Sequence, residues 1–380
     1  MSKILFEENK LGETTLEINW EAVKNNIHYF KKELAPETLI MLMVKASAYG
    51  NGAIGISKMA QQDQLADYFG VVNIDEGIEL RNTGIETPIM VQNPSSSDWK
   101  DLIDYGLEPE IHSIELLRSF SLFMEQNQAL EIHQLPIHLK FNTGMNRLGI
   151  DREEMEELTQ LLDKPHSWQI RSVMTHLSST GIEAEDEFTQ TQLKEFEEIQ
   201  KSIQAYLKET TLFHALNTDG VARHTAAQLQ MVRLGIGIYG CSTSPSLKKE
   251  LQPATTLKTK VISSRRVQKG ASISYSRSGK AEADCNIAVL SIGYADGFPI
   301  RLGNGQWEFE VDGKLYPTIG VVCMDLCMIN LGNDEVEVGT EVIVYGGKRS
   351  IFDYANAMGT VPYEAMTSLS SRVKKIIVEN

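Results

Sequence analysis

The chain has 380 residues, long enough to bury a large core as two domains or as one barrel with an appendage. Its formal net charge of -15 at pH 7 argues against a polyanionic partner, because phosphate backbones are bound chiefly through Lys and Arg, so nucleic acid is not expected. The stretch MSKILFEENK lacks the apolar centre of a signal peptide, and no run approaches the roughly 18 apolar residues of a membrane span, so a soluble, cytoplasmic protein with no membrane partner is expected.

In chain order, Thr15-Leu16-Glu17-Ile18 alternates like a strand. Asn19 is placed to cap a helix whose Trp20, Val23, Ile27 and Phe30 share one face, and that helix would close a barrel from outside. From residue 39 to about 240, short and near-continuous apolar runs alternate with helical patterns, as parallel strands covered on both faces require. Eight runs lie roughly at 39–45, 69–73, 87–92, 108–112, 136–142, 170–176, 212–217 and 229–233. One helical pattern, 186–207, carries Leu193, Phe196, Ile199, Ile203 and Leu207 on one face. Eight such units predict a (β/α)8 barrel. Past residue 243 the pattern changes: Ser244-Pro245-Ser246 punctuates the chain, and strand-like runs at 257–267, 287–292, 307–311 and 341–345 follow without long helices, with Asp312-Gly313 as a hairpin turn. The expected organisation is a segment 1–13 joining the β domain, a barrel over 14–243 and a β-rich domain over 244–380.

The stretch VKASAYGNGAIG, residues 44–55, contains a G-x-G-x-x-G spacing after an apolar run. With Asp75 and Glu76 about twenty residues on, it permits a dinucleotide loop, but eight continuing units and a separate β domain do not suit an open nucleotide-binding sheet. Lys45 is the sharper feature. It would lie at the C-terminal mouth of the first strand, where barrel enzymes place their chemistry, and partial burial there would lower its pKa and leave neutral amine for an aldehyde. A surface lysine capping a strand is the plain alternative. At the last two strands, Thr218 supplies a hydroxyl, and Gly235 and Ile236 supply backbone N–H groups suited to a phosphate. A reactive lysine facing a phosphate cup suggests pyridoxal 5'-phosphate. Cys241, Cys285, Cys323 and Cys327 fit reduced core thiols, with Cys323 and Cys327 buried at a β interface. The pair His133 and His138 matches no metal-ligand motif, and no metal is expected.

Together these residues resemble the pyridoxal-phosphate-dependent alanine racemase family over nearly the whole chain. The marks are Val44-Lys45-Ala46-Ser47-Ala48-Tyr49-Gly50, Asn142-Thr143-Gly144-Met145-Asn146-Arg147-Leu148-Gly149, Thr175-His176, Met231-Val232-Arg233, Ser274-Tyr275, Gly293-Tyr294-Ala295-Asp296-Gly297 and Cys323-Met324-Asp325. The resemblance implies a barrel followed by a β domain, and an amino-acid racemase with alanine as its first substrate. It implies that Lys45 holds the cofactor and then serves as one of two opposed bases, the other being Tyr275 of the partner subunit in a homodimer. Arg233 would face the pyridine nitrogen, with His176 near the cofactor and in a hydrogen-bond chain toward Tyr275. Arg147 would contact the cofactor's phenolic oxygen and the substrate carboxylate. Tyr49, Asn217, Thr218, Gly235, Ile236 and Tyr363 would bind the cofactor, mainly at its phosphate. Tyr294, Met324 and Asp325 would line the substrate entrance. Lys140 matches a lysine that family members often carry as a carbamate.

Three positions depart from the pattern: Asn142 stands where Asp is usual, Asn51 where His is common and Leu234 where Pro or Phe is frequent. None removes a catalytic role, but Asn142 alters the charge beside Lys140 and Arg147. Other readings are a racemase for serine or lysine, a barrel decarboxylase of the same cofactor class, whose catalytic cysteine motif is missing, and a non-catalytic cofactor carrier, which would lack the appended β domain.

Overall fold

The computed structural model describes residues 2–5, 13–127 and 134–379, and His133 lies outside them. The chain forms two compact units, one of residues 24–48 and 56–251, the other of residues up to 23, 49–55 and from 252 on.

The first unit is built on eight parallel strands: Leu39–Met43, Tyr68–Val71, Ile89–Val91, Glu108–Ile111, Leu135–Lys140, Trp168–Met174, Leu212–His214 and Met231–Leu234. Each pairs with the next, and the eighth pairs with the first, Met231 opposite Leu39. The last seam is joined by Gln230 N to Phe213 O at 3.1 Å and Arg233 N to Leu216 O at 3.0 Å. The sheet therefore closes on itself and leaves no open edge, which is the (β/α)8 barrel that the eight apolar runs predict. Strand ends differ from the expected runs by no more than three residues. The runs are continuous because inward side chains fill the barrel while outward ones pack under helices, so Tyr68–Val71 and Met231–Leu234 are buried at every position.

The helix Trp20–Glu33 begins where Asn19 Oδ1 accepts from Ala22 N at 3.1 Å, and Trp20, Val23, Ile27 and Phe30 are all buried. Asn26 Nδ2 donates to Ile238 O at 3.0 Å, which fixes this helix beside the segment after the eighth strand. The helix Asp186–Ile203 buries Phe196, Ile199 and Ile203 as its spacing predicts, but a 3₁₀ turn ends it before Leu207.

The second unit is mostly antiparallel sheet. Its long strand Thr255–Val267 pairs with Glu341–Tyr345 and with Cys285–Leu290, which in turn pairs with Cys327–Gly332. Glu308–Val311 and Lys314–Pro317 form a hairpin through Asp312 and Gly313, whose φ values of 48° and 73° are the paired positive angles such a tight turn needs. Helices Ile351–Met358 and Pro362–Thr367 also belong to this unit.

The boundary expected at residue 14 needs correction. Thr15–Asn19 lies between Thr255–Val267 and Lys374–Glu379 in the sheet of the second unit, and Ser2–Leu5 pairs with Lys374–Glu379. An alternating pattern identifies a strand but not its partners, which only long-range pairing decides. The cysteines are free thiols; Cys241, Cys285 and Cys327 are buried, whereas Cys323, expected to be buried, is half-exposed.

Candidate active site

Lys45 opens the turn Lys45–Gly50 directly after the first barrel strand. Ala46, Ser47, Ala48 and Tyr49 have φ between 51° and 56°, and Gly50 has φ 82°, so the turn is left-handed. That conformation costs roughly 1–2 kcal/mol for each non-glycine residue and must be held by its surroundings. Glu76 supplies part of the hold, accepting from Ala46 N at 2.7 Å and from Val72 N at 2.8 Å. Of the two acids that the glycine spacing offered to a nucleotide ribose, Glu76 is thus bound to backbone amides, and the dinucleotide reading fails on the closed sheet.

The Lys45 amine is largely buried and donates to Gln92 Oε1 at 3.2 Å. Burial lowers its pKa, the Arg147 charge lowers it further, Glu110 opposes the shift, and Lys140 and Arg233 add to it. Four expected site residues therefore share one electrostatic neighbourhood with Glu110. Lys140 donates to Glu110 Oε1 at 2.8 Å with both side chains buried. Arg147 is exposed, on a loop ordered by Asn142, whose side-chain oxygen accepts from Gly144 N at 3.2 Å and Asn146 N at 3.0 Å while its nitrogen donates to Asp151 at 2.7 Å. A carboxylate could not make that last contact, which gives Asn142 a role where Asp is usual.

Arg233 is buried in the eighth strand. Its Nη1 lies 2.7 Å from His214 Nδ1, and its Nη2 donates to Thr175 O and Ala215 O, both at 2.9 Å, and lies 3.2 Å from His176 Nδ1. Burial brings its pKa down to about 10, with Glu110 opposing, so it stays charged at neutral pH. Burial and then the Arg233 charge push His176 well below the usual histidine range. Neutral His176 accepts at Nδ1 from the guanidinium and so carries its hydrogen on Nε2.

Asn217 caps the short helix Thr218–Arg223, its side-chain oxygen accepting from Gly220 N at 3.0 Å and from Thr180 Oγ1 at 2.6 Å. Asn217 is thus held at its side-chain oxygen as the cap of that helix. Thr218 Oγ1 accepts from Gly235 N at 3.0 Å, which leaves its own hydrogen to donate elsewhere. Ile236 opens the 3₁₀ turn Ile236–Tyr239, so its N–H has no intrahelical acceptor. A Cβ at Gly237 would stand 2.2 Å from Thr218 Cγ2, so only glycine lets these segments approach so closely.

In the second unit, Tyr49 and Tyr363 are brought together with ring centroids 6.0 Å apart. Burial pushes the Tyr49 phenol up to about 12, keeping it a neutral donor. Tyr275 stands in the turn Tyr275–Arg277, held by Ser274 Oγ donating to Val321 O at 2.7 Å, and is 71% exposed rather than a core tyrosine. With Met324 and Asp325 it lines a cleft of about 770 Å³. Tyr294 N donates to Cys323 O at 3.0 Å, which fastens its turn to that loop, and Asp325 accepts from Arg372 Nη1 at 2.8 Å.

Residues 18–243 match the family model "Alanine racemase, N-terminal domain", and residues 254–377 match "Alanine racemase, C-terminal domain". The chain belongs to the alanine racemase family. It is 32% identical to the alanine racemase of Treponema denticola, covering 95% of this chain and 97% of that one, and 31% identical to that of Aquifex aeolicus, covering 96% and 98%. Among solved structures it resembles alanine racemase from Clostridium difficile, with a TM-score of 0.90, 28% identity and coverage of 97% and 96%. It also resembles the alanine racemase of Bacillus anthracis with bound L-Ala-P, with a TM-score of 0.87, 29% identity and coverage of 97% and 95%.

The alanine racemase motifs do not point to Glu110, Gln92, Glu76 or Ser172. One signal was available for the first of these: Glu108-Pro109-Glu110 sets two acids within a run read as a buried strand, and buried acids require partners.

Proposed function

We propose that this chain interconverts L- and D-alanine as a pyridoxal 5'-phosphate-dependent dimer. The observation that carries the reading is Lys45, an amine at the mouth of a closed barrel whose charge is disfavoured by burial and by Arg147, in a chain whose two halves both match alanine racemase. The residues fit the cofactor. Lys45 would hold it through the amine; the Thr218 hydroxyl and the Ile236 N–H would take its phosphate, while the Gly235 N–H, expected as a phosphate donor, is instead given to Thr218 Oγ1; and the phenols of Tyr49 and Tyr363 would serve as further donors. When bound, the cofactor supplies an electron-withdrawing ring that acidifies the Cα hydrogen of an attached amino acid.

The chain's own groups then move the proton. Lys45 Nζ, held toward neutrality, takes or gives it on one face of Cα, and the hydroxyl of Tyr275 of the partner subunit does so on the other. Its exposure at a cleft is what a tyrosine acting on a second copy requires. Arg233 presents a fixed positive charge to the ring nitrogen and disfavours a proton there, which restrains side reactions. Arg147 and the backbone at Met324 bind the substrate carboxylate. Tyr294 and Asp325 border the entrance, where side-chain volume selects a methyl group by about 1–3 kcal/mol per methylene. Lys140 would place a charge near Arg147, either as the ammonium paired with Glu110 or as the carbamate that family members often carry.

The test is the loss of optical rotation of L-alanine, L-serine and L-lysine, each incubated with protein purified in pyridoxal phosphate. Alanine racemised fastest is the expected result. A bound cofactor with no racemisation of any of the three would move the assignment to a decarboxylase or a carrier.

A further inference from the structure

Five polar side chains cross the barrel interior in a single line, and the reaction outlined above uses only the first of them. They are Arg233, His214, Ser172, His138 and Glu108, one each from the eighth, seventh, sixth, fifth and fourth strands, and all are buried. Arg233 Nη1 lies 2.7 Å from His214 Nδ1, and His214 Nε2 lies 2.9 Å from Ser172 Oγ. Ser172 Oγ lies 2.7 Å from His138 Nδ1, and His138 Nε2 lies 2.8 Å from Glu108 Oε2.

The guanidinium fixes the direction of the first two links and the carboxylate that of the last. A guanidinium only donates and a carboxylate only accepts. His214 Nδ1 must therefore accept, so its hydrogen sits on Nε2 and is donated to Ser172. Ser172 turns its single hydrogen to His138 Nδ1, and His138 donates from Nε2 to Glu108. The third link runs from Ser172 to a neutral His138; a protonated His138 would reverse it, donating from Nδ1 to Ser172 Oγ, and neutron diffraction distinguishes the two. Glu108 begins its strand, at the end of the barrel away from the mouth. There it also holds the phenol of Tyr68, whose ring meets His138 edge-on at 5.9 Å, and the charges of Arg81 and Arg171 act at the same end.

We propose that His214, Ser172, His138 and Glu108 are positioning residues for Arg233, a hydrogen-bonded chain of fixed direction that anchors the guanidinium at the barrel mouth to a carboxylate at the barrel floor. Hydrogen bonds in such a chain polarise one another in a low-dielectric interior, so the anion at one end steadies the cation at the other without touching it. The consequence for catalysis rests on the reading that Arg233 faces the cofactor; the chain itself does not.

Neutron diffraction from deuterated holoenzyme crystals tests the chain directly. Deuterium on Nε2 of both His214 and His138, with none on either Nδ1, is the expected result, and deuterium on Nδ1 of either ring overturns the proposal. This outcome is independent of whether the wild-type protein racemises alanine, which is decided separately. For the positioning role, Ser172→Ala, Ser172→Thr and Glu108→Gln are compared at matched cofactor content. Ser172→Ala should lower kcat about tenfold, the scale of one hydrogen bond, at unchanged KM and with a shifted visible band; Ser172→Thr should restore both. Glu108→Gln, which keeps the shape and removes the charge, should shift the band in the same direction. Wild-type kcat and spectrum in both Ser172→Ala and Glu108→Gln would overturn the role.

Discussion

Burial and the Arg147 charge both push the Lys45 ammonium toward the neutral amine, and Glu110 pulls the other way. A base with a lowered folded pKa binds fewer protons folded than unfolded between that pKa and the ordinary value of 10.5, so its contribution to stability rises with pH across that window. The thermal midpoint of cofactor-free protein should therefore gain from Lys45 as pH rises toward 10.5, and the difference between wild type and Lys45→Met should narrow over the same range. A constant difference would mean that Lys45 titrates like a free lysine. Lys45→Ala should also leave the protein without a visible cofactor band. Tyr275 is exposed and bears no core load, so Tyr275→Phe should fold, keep the cofactor and lose racemisation by about 10²–10⁴-fold, the range of a general acid–base group. Retained activity would remove the tyrosine from the mechanism.

At the scale of elements, the left-handed turn Lys45–Gly50 decides where the amine points. Its glycine has φ 82°, and a Cβ there would lie 2.2 Å from Met366 O, a backbone atom that cannot step aside cheaply. Gly50→Ala should therefore cost well over the roughly 1 kcal/mol of the conformation alone, measured by denaturant unfolding of cofactor-free protein. Glu76→Ala should cost about 1–3 kcal/mol, chiefly through the part-buried Val72 amide it leaves unpaired, and should loosen cofactor binding, because Glu76 also holds the exposed Ala46 amide of the turn that carries Lys45. Unchanged stability and cofactor affinity in Glu76→Ala would show that the turn is held by other contacts.

At the scale of the molecule, the proposal that Tyr275 serves the partner's Lys45 can be separated from one in which it serves its own. Lys45→Ala and Tyr275→Phe proteins, each nearly inactive, should regain about a quarter of wild-type activity when mixed under conditions that exchange subunits, because half of the dimers are then mixed and each holds one intact site. No recovery despite proven exchange would exclude a shared site.

The sequence by itself determined the elements and the chemistry. Eight apolar runs pointed to the barrel because parallel strands covered on both faces carry near-continuous apolar sequence, and Lys45, Arg147, Arg233 and Tyr275 stood within motifs specific enough to name a family. Asn19 and Asp312-Gly313 were legible because caps and tight turns are local events. Only the tertiary structure decided that Thr15–Asn19 joins the second unit's sheet, that residues 46–49 turn left-handed, that Glu110 pairs with Lys140 and that Glu108, His138, Ser172, His214 and Arg233 form one line. Each of these rests on partners far apart in the chain, and a residue's type states what it can bond to but not which distant group the fold will bring within reach.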